Sequence, residues 1–422
     1  MNLEGVSLTN LNPTQRRILL EMEKRDRLAV LGGPGTGKTF IALFAILHAL
    51  QEKKNCSFIV YNKNLNVYIK KLIGEKDFPS YLARTYHSWI SHYLVTVLTN
   101  MDFDKVKKEF IVAGHEYEYD WPKIESHLNS ISNDKKRVFD FIFVDEAQDI
   151  PLPLLGIIRQ ASKKLLVTFD DSQKIGSDYF KDQHDQPYDR SEILSTLELH
   201  DSFFDLTENY RNTKSIEAVA KLFGEYFQTN AFSLKKSTAT LKGPLPRLIQ
   251  ANHIQHMQQW IYEDYLLHPD LQIGVLFPNT RLDADLLRLN QFREAMHECL
   301  KENSARLFFK YGTWNNIQSF SQPGIYFMSM NSSKGLEFDH VYILDTDRLA
   351  LENKEQANLM YVACTRAKKN LTFLFEEEKP QTILTILTHN PLLINRYDLR
   401  EYPTVESLKA LCLELDQEVD HE

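Results

Sequence analysis

Gly32-Gly33-Pro34-Gly35-Thr36-Gly37-Lys38-Thr39 matches the phosphate-binding spacing G-x-x-x-x-G-K-[ST] without a gap. Leu28-Ala29-Val30-Leu31 before it reads as a β-strand, and Phe40-Ile41-Ala42-Leu43-Phe44-Ala45-Ile46-Leu47 after it reads as a helix. The glycines let backbone N–H groups turn inward around phosphate oxygens, and the start of the helix adds its positive dipole end. Residues Gly32, Gly33, Pro34, Gly35, Thr36 and Gly37 therefore form the expected cradle. Lys38 is placed to neutralise the β- and γ-phosphates of ATP, and the Thr39 hydroxyl to ligate Mg²⁺. A glycine-rich turn without nucleotide would rarely carry both flanking elements.

Downstream, Phe141-Ile142-Phe143 leads into Val144-Asp145-Glu146-Ala147-Gln148-Asp149. The apolar run predicts a buried parallel strand with two carboxylates at its end. Asp145 there can hold Mg²⁺, and Glu146 can take a proton from an attacking water. Taken alone, the stretch also fits a strand running into a solvated acidic turn. The phosphate-binding loop upstream favours the catalytic alternative.

With 422 residues, 43% of them hydrophobic, the chain can bury two sizeable cores, so two domains are expected. No apolar run reaches the ~20 residues that span a bilayer. Met1-Asn2-Leu3-Glu4-Gly5 has no basic head or apolar stretch like that of a signal peptide. Cys56, Cys299, Cys364 and Cys412 form no CxxC pair and suggest neither a disulfide framework nor a cysteine metal site. A cytoplasmic location fits. The net charge of −8 argues against a purely electrostatic nucleic-acid binder, while leaving room for a local basic groove.

Strand and helix signals alternate throughout, as in an α/β protein with parallel sheets. Strands are expected at residues 28–31, 57–61, 139–144 and 165–169, and again at 272–277, 324–328, 340–344 and 371–375. Each half thus predicts its own sheet, with a junction near residues 205–212. The end beyond Leu411 is acidic and apolar-poor, and is expected to be a solvated tail.

Further motifs narrow the kind of nucleotide hydrolase. Leu11-Asn12-Pro13-Thr14-Gln15 precedes the phosphate loop, and Val167-Thr168-Phe169-Asp170-Asp171-Ser172-Gln173 ends another strand. Leu206-Thr207-Glu208-Asn209-Tyr210-Arg211-Asn212 falls at the junction. Met330-Asn331-Ser332-Ser333-Lys334-Gly335-Leu336-Glu337-Phe338 and Tyr361-Val362-Ala363-Cys364-Thr365-Arg366-Ala367 follow. In this order the set resembles the superfamily 1 DNA helicases of the UvrD/Rep/PcrA group, over roughly residues 11–375.

That resemblance implies two tandem RecA-like P-loop domains, each a parallel sheet flanked by helices. The first would span residues 1–205, with a reduced insert at about 93–136, and the second 206–380. Residues 381–422 would be a C-terminal extension. Gln15 would recognise adenine, Tyr210 would stack on it, and Gly335 and Glu337 would complete the nucleotide contacts, Glu337 accepting from the ribose. Gln173 would sense the γ-phosphate. Arg211 and Arg366 would approach it from the second domain, so hydrolysis would depend on closure of the cleft and drive movement. Tyr61, Asn62 and Lys63, with Thr85 and His87, match the family's strand-contacting motifs. Tyr61, Tyr86 and Trp89 are candidates for stacking on bases, and core packing is the competing expectation for Trp89.

Three departures from the family stand out. Gly176 and Asp178 replace an aromatic pair, with Tyr179 and Phe180 just beyond. Asn331 stands where histidine is usual, and Ala357 and Asn358 where arginines are usual. There is also no space between residues 311 and 324 for a second inserted domain. The expected activity is ATP-dependent translocation on single-stranded DNA, 3′ to 5′ by analogy, with RNA left open as a track. A regulatory ATPase subunit that switches a partner such as a nuclease is the alternative.

Overall fold

The computed structural model describes residues 11–60, 82–114, 118–170, 190–199, 202–226, 238–278, 283–300, 306–311, 314–315, 322–349, 351–377 and 383–420. It divides into two compact units, Met1–Thr207 and Glu208–Glu422. The described strands of the first unit are β1 (Arg27–Gly32), β2 (Cys56–Val60), β3 (Ala83–Thr85), β4 (Phe139–Val144), β5 (Ser162–Phe169) and β6 (Phe203–Leu206). They form a six-stranded sheet in the order β3-β2-β4-β5-β1-β6, parallel throughout.

Both faces of this sheet are covered, so the strands are nearly continuous apolar runs whose alternate residues enter different cores. Ala29, Leu31, Ile142, Val144, Leu165 and Val167 join one core. Leu28, Val30, Phe141, Phe143 and Leu166 join the other, with Ile41, Ala42 and Ala45 of helix Lys38–Gln51.

Residues 93–136, expected as a reduced insert, pack onto the first of these cores through Val106, Phe110, Ile124 and Leu128. Their helices Phe103–Phe110 and Trp121–Asn129 start at Asp102 and Asp120, which accept from Lys105 N at 2.8 Å and Lys123 N at 3.0 Å. Such caps contribute about 1 kcal/mol each.

The described strands of the second unit are β7 (Glu208–Thr213), β8 (Thr238–Leu241), β9 (Arg247–Gln250), β10 (Gln272–Phe277), β11 (Leu307–Tyr311), β12 (Trp314–Asn315), β13 (Gly324–Ser329), β14 (Phe338–Ile343), β15 (Ala367–Phe375) and β16 (Asn395–Asp398). Eight of them form a sheet in the order β12-β11-β13-β10-β14-β15-β9-β16, with only the β11–β12 pair antiparallel. β7 and β8 pair separately. Ile273, Val275, Ile325 and Phe327 face one core with Trp260 and Ile261 of helix Ile254–Leu267. Tyr326, Met328, Val341 and Ile343 face another, with helices Lys214–Gly224 and Lys354–Cys364.

The solvated tail expected beyond Leu411 is not what the chain forms. Helix Val405–Asp420 buries Leu408, Leu411, Cys412 and Leu415 in the core beside Tyr265 and Ile261. The acidic residues obscured a helical stripe spaced by three and four. β16 likewise adds to the sheet through β9, so residues 395–420 are part of the second unit. Among the described residues no helix is long and apolar enough to cross a membrane.

Gly274 of β10 sits under the Phe338 ring, where an added Cβ would lie 2.5 Å from Cδ2 and 2.7 Å from Cγ. Those atoms are at the root of the ring, so it cannot swing away. Gly274→Ala is expected to cost about 1–3 kcal/mol, read as a lowered Tm, and Phe338→Leu in the same chain is expected to restore part of it. An unchanged Tm for the single variant would contradict this packing.

Candidate functional site

The phosphate loop joins the end of β1 to helix Lys38–Gln51. Gly37 makes the turn at φ 88°, a left-handed conformation that glycine adopts without penalty. The Lys38 ammonium folds back over the loop, donating to the carbonyls of Gly32 at 2.6 Å and Gly33 at 3.0 Å. Thr36 Oγ1 also donates to Gly33 O, at 2.9 Å. Lys38 is thus held where a phosphate would find it.

Gln15 lies beside the loop, but its amide is engaged. Nε2 donates to Thr36 O at 3.1 Å, and Oε1 accepts from Asn12 N at 3.0 Å. With Asn12 Oδ1 accepting from Gln15 N, this closes a capping box on helix Pro13–Lys24. In this conformation one N–H and one lone pair of the Gln15 amide brace the loop and the helix start, leaving the second of each for another partner.

Asp145 is the centre of the first unit's polar cluster. Thr39 Oγ1 donates to its Oδ2 at 2.9 Å, and Thr168 Oγ1, from β5, donates to its Oδ1. The carboxyl is completely buried, and burial followed by the charge of Glu146 pushes its pKa up to about 6, against the opposing pull of Thr168, Lys38 and Thr39. Glu146 follows in a left-handed conformation, φ 55° and ψ 49°, which is uncommon for a residue with a Cβ and typical of functional turns. Gln148 joins the pieces: Nε2 donates to Glu146 Oε2, and Oε1 accepts from Asp170 N at 3.2 Å. The pair Thr39 and Asp145 gives a hydroxyl and a carboxylate oxygen at one point, a hard-oxygen donor set that fits Mg²⁺.

In the second unit, three motifs far apart in sequence converge. Asn212, fully buried on β7, donates through Nδ2 to the carbonyls of Thr365 at 3.1 Å and Ala367 at 2.5 Å. Asn209 Nδ2 donates to Asn212 Oδ1 at 3.0 Å, and Asn209 Oδ1 accepts from the backbone of Arg211 and Asn212. Arg211 pairs with Glu337 at 2.8 Å. Tyr210 is exposed on the same strand, its hydroxyl donating to Glu208 Oε2. Gly335 turns the chain at φ 80° just before Glu337.

Arg366 is held inside its own unit. It is only 2% exposed, and its guanidinium donates to Val362 O at 3.0 Å, Leu336 O at 3.1 Å and Thr365 Oγ1 at 3.2 Å. In this conformation it cross-links the two motifs of its own unit and presents no free finger. Asn331 lies in a 3₁₀ turn, while Ala357 and Asn358 are buried on helix Lys354–Cys364.

The expected strand-contacting residues divide. Tyr61, Asn62 and Lys63 lie outside the described residues, as do the γ-phosphate sensor Gln173 and Gly176, Asp178, Tyr179 and Phe180. Thr85 caps helix Tyr86–Val97, accepting from Ser88 N at 3.4 Å. The His87 ring lies between Tyr86 and Tyr119, at 3.9 and 5.9 Å. Tyr86 and Trp89 do not offer faces to bases. Both are buried, because positions 86, 89, 90, 93 and 94 form the inward stripe of this helix, and Trp89 stacks on Tyr93 at 5.1 Å.

Thr168, Gln148, Asn209 and Asn212 were not singled out from the sequence. Thr168 and Gln148 stand within motifs whose acidic or terminal residues drew attention. The two asparagines had a usable signal, being amides spaced by three within a junction motif.

Residues 15–177 match the family model of an AAA domain, and residues 324–374 match the UvrD-like helicase C-terminal domain. Together the two matches support a UvrD-like superfamily 1 helicase. This UvrD-like helicase is accordingly an ATPase of the DNA-helicase class. Among solved structures, it resembles the C-terminal domain of a possible DNA helicase from Lactobacillus plantarum WCFS1. Identity there is 18% over 44% of this chain and 98% of that one, with a TM-score of 0.30, too slight a likeness to bear on function. No curated protein matches the chain.

If Thr168 orients Asp145, Thr168→Val should lower kcat for ATP hydrolysis by about 10–100-fold, in the range of outer-shell losses at metal sites. Thr168→Ser, which keeps the hydroxyl, should retain most of the rate. Steady-state phosphate release checks both, and a valine variant at full rate would contradict the assignment.

Proposed function

We propose that this UvrD-like helicase is an ATP-driven translocase on single-stranded DNA, moving 3′ to 5′, with ATP bound at the phosphate loop of the first unit. The observation that carries the nucleotide part is the Asp145 cluster, where Thr39, Thr168, Lys38 and Glu146 converge. The polarity and the single-stranded track rest on the resemblance of the motifs.

Lys38 exchanges its two loop carbonyls for phosphate oxygens. Thr39 and Asp145 would hold Mg²⁺, which would supply positive charge to the phosphates when bound. Glu146, fixed by its backbone turn and by Gln148, accepts a proton from the attacking water. Gln173 senses the γ-phosphate, while Gln15, Tyr210 and Glu337 receive the nucleoside.

The second unit supplies Arg211 and Arg366. Both are engaged within that unit, Arg211 by Glu337 and Arg366 by backbone carbonyls. Each must exchange those partners for phosphate, and arginines of this kind contribute ~10³–10⁵ in rate. A low basal rate that rises when the track binds follows from that exchange.

Tyr61, Asn62, Lys63, Thr85 and His87 are assigned to the track. The domain roles follow: a first RecA-like domain with residues 93–136 as its reduced insert, and a second without one. A cytoplasmic enzyme is the setting that fits.

One observation favours a second possibility, a regulatory ATPase subunit that switches a partner such as a nuclease. Residues 93–136 are consumed in the core of the first unit and so do not form a separate accessory domain.

ATP hydrolysis should rise at least ~10-fold with single-stranded DNA and much less with duplex, a rise consistent with arginine engagement. Lys38→Ala and Glu146→Gln should abolish turnover with and without DNA, and Arg211→Ala should remove most of the stimulated rate. Parallel assays with single-stranded RNA distinguish the track. A rate indifferent to every nucleic acid would sink the translocase and favour the switch.

A further inference from the structure

Away from the nucleotide motifs, helices Ile254–Leu267 and Val405–Asp420 pack together in the second unit, and each brings a pair of ligand-type residues one turn apart. Asp264 and His268 come from the first, with His268 as its C-cap, and Cys412 and Asp416 come from the second. His340 of β14 completes the group.

His340 Nδ1 lies 2.9 Å from Asp264 Oδ2. His268 Nε2 lies 3.7 Å from Asp264 Oδ1 and 3.0 Å from Asp416 Oδ1. The ligand atoms of Asp264, His268 and His340 all fall within 4.8 Å of one another. Four ligands about 2.0–2.1 Å from a tetrahedral Zn²⁺ are separated by roughly 3.3 Å, which these distances bracket.

A second observation concerns the far side of His340. Asn370 of β15 places Nδ2 2.9 Å from His340 Nε2, while Asn370 Oδ1 is buried without a partner. Turning that amide over gives Oδ1 a donor, Nε2–H, and leaves Nδ1, which faces Asp264, to carry either a proton or a metal ion. An outer-shell carbonyl on the non-ligating nitrogen is also the usual means of orienting a metal-bound histidine.

The buried Asp264 carboxylate is also oriented by Tyr342, whose Oη donates to Oδ2 at 2.7 Å.

We propose that Asp264, His268 and His340, with Asp416 at the rim, form a structural Zn²⁺ site that staples helix Val405–Asp420 to β14 and helix Ile254–Leu267. Two imidazoles with a carboxylate in a compact set of three, and a second carboxylate beside His268, select Zn²⁺ over Ca²⁺ or Mg²⁺, which take six or more oxygens. Cys412, buried one turn before Asp416, lines the same cluster. The site also bears on the nucleotide motifs, since β14 begins directly after Glu337 and β15 directly after Arg366.

The test uses the untagged full chain, stripped with a chelator and dialysed against Zn²⁺ alone or Co²⁺ alone, with bound metal measured by elemental analysis. Wild type is expected to retain one Zn²⁺ per chain, to gain thermal stability from it, and to show the visible absorption of tetrahedral Co²⁺. His268→Ala and Asp416→Ala alter the exposed edge of the cluster and leave its buried part intact. Together they should weaken binding on the order of 100-fold and abolish the visible band. Absence of retained Zn²⁺ in wild type, or equal binding by wild type and the double variant, would overturn the site and leave a hydrogen-bonded cluster.

Discussion

A carboxylate with no solvent access must be given partners, and Asp145 receives one hydroxyl on each oxygen, from Thr39 and from Thr168. This constraint organises the first unit. Thr39 belongs to the helix after the phosphate loop and Thr168 to the strand between β4 and β1, so three elements must hold register for the carboxylate to be satisfied. An unpartnered buried carboxylate would cost several kcal/mol, a large fraction of a domain's net stability. Folding the sheet correctly and assembling the site are therefore largely the same event.

The second unit is organised by buried polar groups as well. Asn209 and Asn212 tie β7 to the start of β15, and Arg366 ties the end of helix Lys354–Cys364 to Leu336. The residues with expected roles at phosphate are thus held by groups with no such role. Arg366 shows this most clearly, as a buried residue whose Nε, Nη1 and Nη2 all donate within its own unit. Hydrolysis gated by rearrangement is consistent with such a design.

The parallel sheets were legible because their strands are buried on both faces and read as apolar runs, as at residues 139–144 and 324–328. β3, β6 and β16 were not, being short edge strands with too few residues to show a pattern. The final helix escaped because Glu406, Glu414, Asp416 and Glu418 dominate its composition, while its inward stripe is only Leu408, Leu411, Cys412 and Leu415. At the site, the phosphate loop and Asp145 were readable because their spacing encodes their geometry. The engagement of Gln15 and Arg366 was not, since a motif gives a residue's place in the chain and says nothing of which carbonyls it meets. Tyr86 was expected as a base-stacking candidate and Trp89 as either a stacking or a core residue, because an aromatic near a binding motif has the same composition as a core aromatic. Only the helical phase, running through Ile90, Tyr93 and Leu94, separates the two.

The central claim is that Asp145, held by two hydroxyls, is the carboxylate through which divalent metal serves ATP hydrolysis. Titrating Mg²⁺ against the hydrolysis rate of Asp145→Asn, with circular dichroism to verify the fold, tests it most directly. The account predicts that hydrolysis falls to background at millimolar Mg²⁺, or needs on the order of 100-fold more metal, while the chain stays folded. Hydrolysis at the wild-type rate with an unchanged Mg²⁺ requirement would contradict it.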